Sequence, residues 1–148
     1  MGIRMVTSKR EFNKMLSDWV KTYEKVIEQA LLYAGEAGLN RARSVSPAEG
    51  SYNDQTGNLR SSIGYVVFKG GMEVLTAGFL ETNGTEKGAK GKVTGKEFLE
   101  SIKVNYGGGY QVIMVAGMNY SGYVEANYDV LTSAEIKARR ELIYVLQN

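Results

Sequence analysis

The chain has 148 residues, 43% of them apolar and 23% charged, which is enough apolar material for the core of one domain with a hydrated surface. It contains no cysteine and no histidine, and this excludes disulfides, Ser–His–Asp and Cys–His catalysis, and zinc sites built from those two residue types. The net charge of +2 is too small to predict nucleic-acid binding by itself.

The first predicted element is a long amphipathic helix that begins after Ser8. Ser8 and Glu11 have the spacing of a capping box at the start of a helix. If the helix ran unbroken to Ser44 it would be about 55 Å long, whereas a compact domain of this size is about 30–35 Å across. The helix therefore either breaks near Gly35–Gly38 or projects and offers its apolar seam to a neighbouring subunit. Six apolar residues at steps of four and three form that seam: Phe12, Leu16, Trp19, Tyr23, Val26 and Ala30.

The middle of the chain predicts an antiparallel meander of β-strands. Residues 64–79 hold two β-type runs joined at Gly70–Gly71. A second hairpin is predicted over residues 98–118, with its turn at Gly107–Gly109, although its first residues also fit the start of a helix. Between the two hairpins, residues 81–96 (ETNGTEKGAKGKVTGK) have little to bury, and we expect a flexible loop rich in glycine and lysine.

Three short signals complete the pattern. The stretch TGNLRSSI predicts one helical turn capped by Thr56, and YSGYVEANY predicts a short helix or bend. Thr132 and Glu135 have the spacing of a second capping box, before a C-terminal helix. The predicted fold class is α+β, with residues 1–148 as a single domain: a long N-terminal helix packed on an antiparallel β-meander, followed by a short C-terminal helix.

The lysines of residues 81–96 raise two ligand hypotheses. GKVTGKE approximates a phosphate-binding loop, but only three residues separate Gly91 from Gly95, and Glu97 stands where a magnesium-binding hydroxyl is needed. We therefore expect no nucleotide, cofactor or metal. A mobile cationic strip that touches DNA or an acidic partner needs only charge and reach. Its candidate residues are Lys87, Lys90, Lys92 and Lys96.

Carboxylate catalysis is the remaining enzymatic possibility. Glu97 and Glu100 are spaced to share a helical face, and so are Glu24 and Glu28. Both pairs have lysine neighbours in amphipathic patterns, where solvated charge is the usual role of such residues. Because no catalytic constellation is complete, we predict that the chain is not an enzyme and has no small-molecule substrate.

Two charged residues in apolar surroundings predict an ion pair. Arg60 follows Leu59 in TGNLRSSI, and Glu125 follows Val124 in YSGYVE. Charges beside residues that are expected to be buried are usually paired and hydrogen-bonded. We predict that Arg60 and Glu125 pair and bring the two stretches together; the alternative is that they are unrelated surface charges.

The same two stretches carry a resemblance to a known family. A helix with a basic end (LNRARSVSP), the stretch SPAEGSYNDQTGNLRSSI and then YSGYVE after the last strands follow one another along most of the chain. This order resembles tailed-phage head–tail connector proteins, also called tail-completion, head–tail joining or minor capsid proteins of the gene-product-ten type. The residues that carry the motif are Thr56, Gly57, Leu59, Arg60, Ser62, Tyr120, Tyr123 and Glu125.

The resemblance implies a structural virion protein that is assembled in the cytoplasm of the host bacterium. Such proteins form a ring between the capsid portal and the tail, with DNA passing through the lumen. The implied partners are further copies of the chain in a six-fold ring, portal, adaptor or stopper proteins, and tail-tube or tail-terminator proteins. The candidate subunit interface is Phe12, Leu16, Trp19 and Tyr23, with Trp19 as its anchor; the alternative places Trp19 in the core.

Other functions remain open on the sequence. Within the same class, the chain is alternatively a tail terminator or another minor virion protein. From a different class, it is a small nucleic-acid-binding module that uses the lysines of residues 81–96. A membrane partner is not expected, because the longest apolar run, near VIMVAGM, is far shorter than the roughly 20 residues of a membrane helix.

Overall fold

The computed structural model describes residues 7–102 and 107–148. Within them it has an α+β architecture, as the sequence predicts: a long N-terminal helix, a three-stranded antiparallel sheet and a C-terminal helix. In chain order the elements are α1 Lys9–Ser44, a 3-10 helix Pro47–Glu49, α2 Asn58–Ser61, β1 Ile63–Lys69, β2 Met72–Gly78, α3 Ala89–Ile102, β3 Tyr110–Ala116, α4 Ser121–Tyr128 and α5 Val130–Gln147.

β1 is the central strand of the sheet, whose order is β2-β1-β3. The hairpin of β1 and β2 turns at Gly70–Gly71, as predicted. The second predicted hairpin is wrong, because β3 pairs with β1, from Ile63↔Ala116 to Lys69↔Tyr110. Its alternative, a helix over the first residues, is confirmed, because residues 98–102 belong to α3. The remaining residues of its predicted first strand, 103–106, lie outside the described residues. Six of the seven β1 residues are buried, and burial on both faces is what a central strand requires.

Helices cover both faces of this sheet. On one face, Tyr65 and Val67 of β1 share a core cluster with residues of α1 and α5. On the other face, Val66 and Phe68 pack with Leu99 of α3 in a second cluster. The alternation of side chains along one strand therefore supplies both halves of the core.

α1 runs unbroken through its two glycines, so the structure chooses the projecting helix over the broken one. A Cβ atom on Gly35 would lie 2.4 Å from the ring of Tyr65, and one on Gly38 would lie 3.0 Å from the carbonyl oxygen of Ala134. The glycines thus allow the sheet and α5 to approach α1 closely. With 36 residues, the helix is about 54 Å long.

α5 lies antiparallel to the second half of α1. Its beginning shares a small cavity with Ala42, its middle residues Ala134 and Ala138 flank Gly38, and Leu142 lines the same groove as Leu31. Continuing this alignment at 1.5 Å per residue places the end of α5 level with about residue 26 or 27 of α1. Residues 9–26, which we call the free half of α1, extend beyond it.

Candidate assembly surface and motif stretches

The free half of α1 carries the predicted interface residues, and all of them are exposed. The exposed fractions are 51% for Phe12, 49% for Leu16, 58% for Trp19 and 54% for Tyr23. The rings of Trp19 and Tyr23 contact each other, with centroids 4.7 Å apart. The alternative of a core tryptophan is therefore wrong for the single subunit. Large apolar side chains in one continuous row mark a surface suited to a partner.

Ion pairs hold α1 to the sheet at the point where its free half begins. The Lys69 ammonium at the end of β1 lies 2.8 Å from the Glu24 carboxylate and 3.7 Å from that of Glu28. The hydroxyl of Tyr110 donates to Glu28 over 3.2 Å. A hydrogen bond with Glu24 is the main cause of the raised pKa of Lys69. Glu24 and Glu28 share a helical face as predicted, and they bind Lys69 and Tyr110 there.

The first motif stretch forms the short helix α2, but Thr56 is not its cap residue. The N-cap residue is Gly57, whose φ of 78° favours glycine. The Asp54 carboxylate accepts the Arg60 backbone N–H over 2.8 Å and the Leu59 N–H over 3.4 Å. Thr56 contributes one further bond, from the Asn58 N–H over 3.2 Å. A charged acceptor at the helix start stabilises the helix more than a hydroxyl does, so Asp54 provides the principal capping side chain although Gly57 holds the N-cap position.

Arg60 and Glu125 do not pair, and the predicted ion pair between them is wrong. Arg60 donates from Nη2 to the Val45 carbonyl over 2.6 Å, and its guanidinium lies 5.0 Å from the ring centroid of Tyr52. Within the described residues, no ion pair joins Arg60 to Glu125. The Val45 carbonyl oxygen and the aromatic ring of Tyr52 therefore stabilise Arg60 in place of a carboxylate.

Glu125 instead caps the start of α5. Its carboxylate accepts the backbone N–H of Leu131 over 2.6 Å and that of Thr132 over 2.8 Å, together with the Thr132 hydroxyl over 2.6 Å. Burial raises the pKa of Glu125, but the hydrogen bonds from Thr132 and the neighbouring backbone outweigh it, so the pKa lies below its ordinary value. The predicted capping box of Thr132 and Glu135 is consequently wrong, because α5 already begins at Val130.

Tyrosines bring the two motif stretches together in place of an ion pair. Tyr52, beside Arg60, has its ring centroid 6.4 Å from that of Tyr128 at the end of α4. Burial raises the pKa of Tyr52 to about 12. Burial also raises the pKa of Tyr120, as do the carboxylates of Asp54 and Glu86 to a smaller extent. The roles of Tyr52 and Tyr128 are not predicted by the motifs; the one signal in the sequence is a tyrosine within the polar loop SYND.

The other motif residues divide between the core and the surface. Leu59 is 3% exposed and lies in the core, and the buried Ser62 hydroxyl donates to the Leu59 carbonyl over 2.8 Å. Gly57 is buried against Thr82, whose hydroxyl donates to its carbonyl over 3.2 Å. Tyr123 is 73% exposed. Most of the motif therefore maintains the fold, and Tyr123 is open to a partner.

The prediction of a loop over residues 81–96 is wrong for residues 89–96, which lie in α3. Gly91 and Gly95 are buried, and the Gly91 N–H donates to the Asn58 side-chain oxygen over 3.0 Å. Because this N–H already donates within the protein, it is not free to donate to a phosphate, as a phosphate-binding loop requires. Lys92 lies 3.5 Å from Glu81. Lys87 precedes α3, and Lys87, Lys90 and Lys96 are exposed.

Across residues 7–102 and 107–148, no group of three or more acidic side chains is placed to hold a metal ion. No helix in that part of the chain combines the length and apolarity needed to cross a bilayer. Comparisons with models of protein families, with curated proteins and with solved structures find no match for this chain.

Proposed function

We propose that the chain is a structural subunit of the head–tail connector of a tailed bacteriophage, where it joins the DNA-filled capsid to the tail as part of a tail-completion ring. The observation that carries the proposal is the free half of α1, which extends an exposed row of large apolar side chains beyond the domain. A protein that exposes such a row is suited to assembly, since burial of that surface by a partner is favourable.

The resemblance of the motif stretches to head–tail connector proteins is the reason for placing this assembly between a phage head and its tail. Thr56–Ser62 and Tyr120–Glu125 occur in the order of the connector family. The two stretches lie close together in the fold: Tyr52 contacts both Arg60 and Tyr128, and the Asp54 carboxylate raises the pKa of Tyr120. The proposed partners are further copies in a ring, six in number, with portal, adaptor or stopper proteins on one side and tail-tube or tail-terminator proteins on the other. DNA passes through the proposed lumen.

A complementation assay tests this proposal. Heads and tails are prepared from a phage that lacks the gene for this chain, and the purified protein is added. We expect the wild-type protein to yield joined particles, and Trp19→Ala to join few or none although it folds normally. Lys21→Ala is the matched control, because Lys21 is an exposed residue of the same segment outside the apolar row. Normal joining by Trp19→Ala would remove the observation on which the proposal rests.

The same assay distinguishes the alternatives. A tail terminator would be found on isolated tails that have never met a head, whereas a connector subunit is found at the junction. A nucleic-acid-binding module would bind DNA as a single subunit, with an affinity that falls steeply as salt rises. Loss of that binding in a variant with Lys87, Lys90 and Lys96 changed to alanine, together with no joining activity, would favour the module and overturn the connector.

A further inference from the structure

A second unfilled apolar surface lies on the domain itself, apart from the free half of α1. It is a groove of about 520 Å³ between α5, β3 and the second half of α1. Two charged residues at its rim, Glu135 and Arg139, form an ion pair of 2.5 Å with each other. β3 is an edge strand, so the groove opens beside the edge of the sheet. Its apolar lining includes Leu31, Ala34, Val112, Met114, Leu131 and Leu142.

The free half of α1 has the form of a helix that binds in a groove. We define the α1 ridge as Phe12, Leu16, Trp19 and Tyr23, which follow the spacing i, i+4, i+7 and i+11 of groove-binding helices. At a period of 3.6 residues the charged residues between them fall outside the ridge: Lys14, Asp18 and Lys21. An uncharged ridge matches a groove whose two rim charges already neutralise each other.

The ridge of a subunit cannot fill the groove of that same subunit. Leu31 and Ala34 of α1 line the groove, and α1 is one unbroken helix. Leu16 therefore lies about 22 Å from Leu31 along a rigid rod, at about 1.5 Å per residue. An occupant with the form of this ridge has to come from another chain.

We propose that the α1 ridge of one copy docks into the groove between α5 and β3 of the next copy. This inference rests on the proposed self-assembly and adds the surface that receives the helix. Each copy then uses two different surfaces, and a contact of this head-to-tail kind closes into a ring where the rotation between copies fits.

The expected area of the contact favours a closed ring over an isolated pair. Each half-exposed aromatic residue of the ridge has roughly 75–125 Å² left to bury, half of the area that an aromatic side chain buries in full. With Leu16 and Met15 added, the ridge supplies roughly half of the ~800 Å² per partner of a standard interface. One such contact is weak, whereas a closed ring has as many contacts as subunits, one more than an open chain of the same length.

Disulfide trapping tests the docking mode, because the native chain has no cysteine. Met15→Cys places a thiol beside the ridge, and Arg139→Cys places one at the groove rim; both positions are exposed. Under mild oxidation of the full-length proteins, we expect a cross-linked dimer in the mixture of the two variants and little in either variant alone. Lys21→Cys mixed with Arg139→Cys is the control and should remain unlinked.

Two results would overturn the docking mode. Cross-linking of Met15→Cys with itself as efficiently as in the mixture would show that ridge meets ridge. Absence of the mixed cross-link, under conditions where the wild-type chain is oligomeric, would show that the ridge docks elsewhere. Neither result affects the joining assay, so a chain that joins heads to tails without the mixed cross-link refutes only the groove. A chain that cross-links as expected but does not join them refutes only the connector.

An equilibrium measurement gives independent support. Trp19→Ala should weaken self-association by about 30-fold, the loss typical of an interface hot spot, measured by sedimentation over a range of concentrations. Tyr144→Ala is the control, since Tyr144 is an exposed aromatic residue at 64% that does not line the groove. An equal loss in both variants would contradict a specific role for the ridge.

Discussion

The free half of α1 and helix α3 have opposite sequence patterns and opposite environments. The free half has the most regular apolar spacing in the chain, yet its large side chains are about half exposed. α3 comes from a stretch dominated by glycine and lysine, yet Gly91, Gly95 and Leu99 are buried against α2 and the sheet. Apolar spacing thus identifies an apolar face, but it does not show whether the subunit itself covers that face.

Glycine explains how α3 packs with so few apolar residues. A Cβ atom on Gly91 would lie 1.9 Å from the carbonyl oxygen of Asn58, and one on Gly95 would lie 2.5 Å from that of Ser62. The backbone of α3 therefore touches the backbone of α2 and that of Ser62, the residue before β1, directly. Glycine weakens a helix by about 1 kcal/mol relative to alanine, and close packing against α2 and β1 offsets this cost.

The largest expected effect is the difference between a leucine-to-alanine change in α3 and one in the free half of α1. Leu99→Ala in α3 should lower the free energy of unfolding by about 3 kcal/mol, because Leu99 is only 1% exposed and its removal leaves a cavity. Leu16→Ala in the free half should change it by less than about 0.5 kcal/mol in the dilute monomer. Urea unfolding of both variants at low concentration measures the difference. Equal losses would mean that the free half is covered within its own subunit.

Glycine-to-alanine changes should give the next largest effect. Gly91→Ala should cost about 2 kcal/mol, because the clash with the α2 backbone exceeds the gain in helix propensity. Gly122→Ala in α4 is the control, since a Cβ atom there meets nothing within 4 Å, and it should be neutral or stabilise by up to about 1 kcal/mol. Thermal unfolding measures both; stabilisation by both changes would contradict the close packing of α3.

A side-chain amide makes a third, smaller contribution to the anchoring of α3. Asn58 is 5% exposed; its Nδ2 donates to the Glu86 carboxylate over 2.6 Å, and its Oδ1 accepts the Gly91 N–H. Asn58→Ala should cost about 1–2 kcal/mol, since the Gly91 N–H then stays buried without this acceptor. Asn13→Ala, at an exposed position in the free half, should cost nothing measurable in urea unfolding. A loss equal to that of Asn58→Ala would contradict this difference.

Much of the fold could be predicted where the signals are local. Ser8 and Glu11 mark the start of α1, and Gly70–Gly71 mark the turn of the first hairpin, because caps and turns depend on neighbouring residues alone. The partner of β3 could not be predicted, since the alternation that defines a strand does not specify which strand it pairs with. The glycines of α3 predict a loop when the sequence is read alone, because only their contacts with Asn58 and Ser62 explain them.

The candidate site was predictable to a similar extent. The row from Phe12 to Tyr23 follows from spacing. The length of α1 left two possibilities, a break near Gly35–Gly38 or a projecting helix, and only the structure decides for the second. The pairing of Arg60 with Glu125 failed because each group finds nearby partners: Val45 and Tyr52 for the arginine, and the first turn of α5 for the glutamate. Backbone groups are present at every position, so the sequence does not reveal which of them a charged side chain will bind.

The smallest expected effect is that of low pH on the first turn of α1, at the tip of its free half. The Glu11 carboxylate accepts the Ser8 backbone N–H over 2.9 Å and the Ser8 hydroxyl over 2.8 Å, and the Glu11 N–H donates back to Ser8 over 3.2 Å. These hydrogen bonds, the backbone one first, lower the pKa of Glu11. A carboxylate whose pKa is lower in the folded state stabilises that state at pH values above its unfolded pKa of about 4.3, and the stabilisation is lost as the pH falls through the lowered value.

We therefore expect the first turn of α1 to fray as the pH falls through the lowered pKa of Glu11, while the rest of the domain stays folded at that stage. Backbone chemical shifts at Phe12 in the dilute wild-type protein measure the fraying, with Glu11→Ala as the reference. The variant should be frayed already at pH 7, since alanine offers no acceptor to the Ser8 N–H. Its midpoint of global unfolding should equal that of the wild-type chain because the tip lies outside both core clusters. A lower midpoint for Glu11→Ala would mean that the tip is packed against its own domain, which would overturn the contrast between the free half and α3.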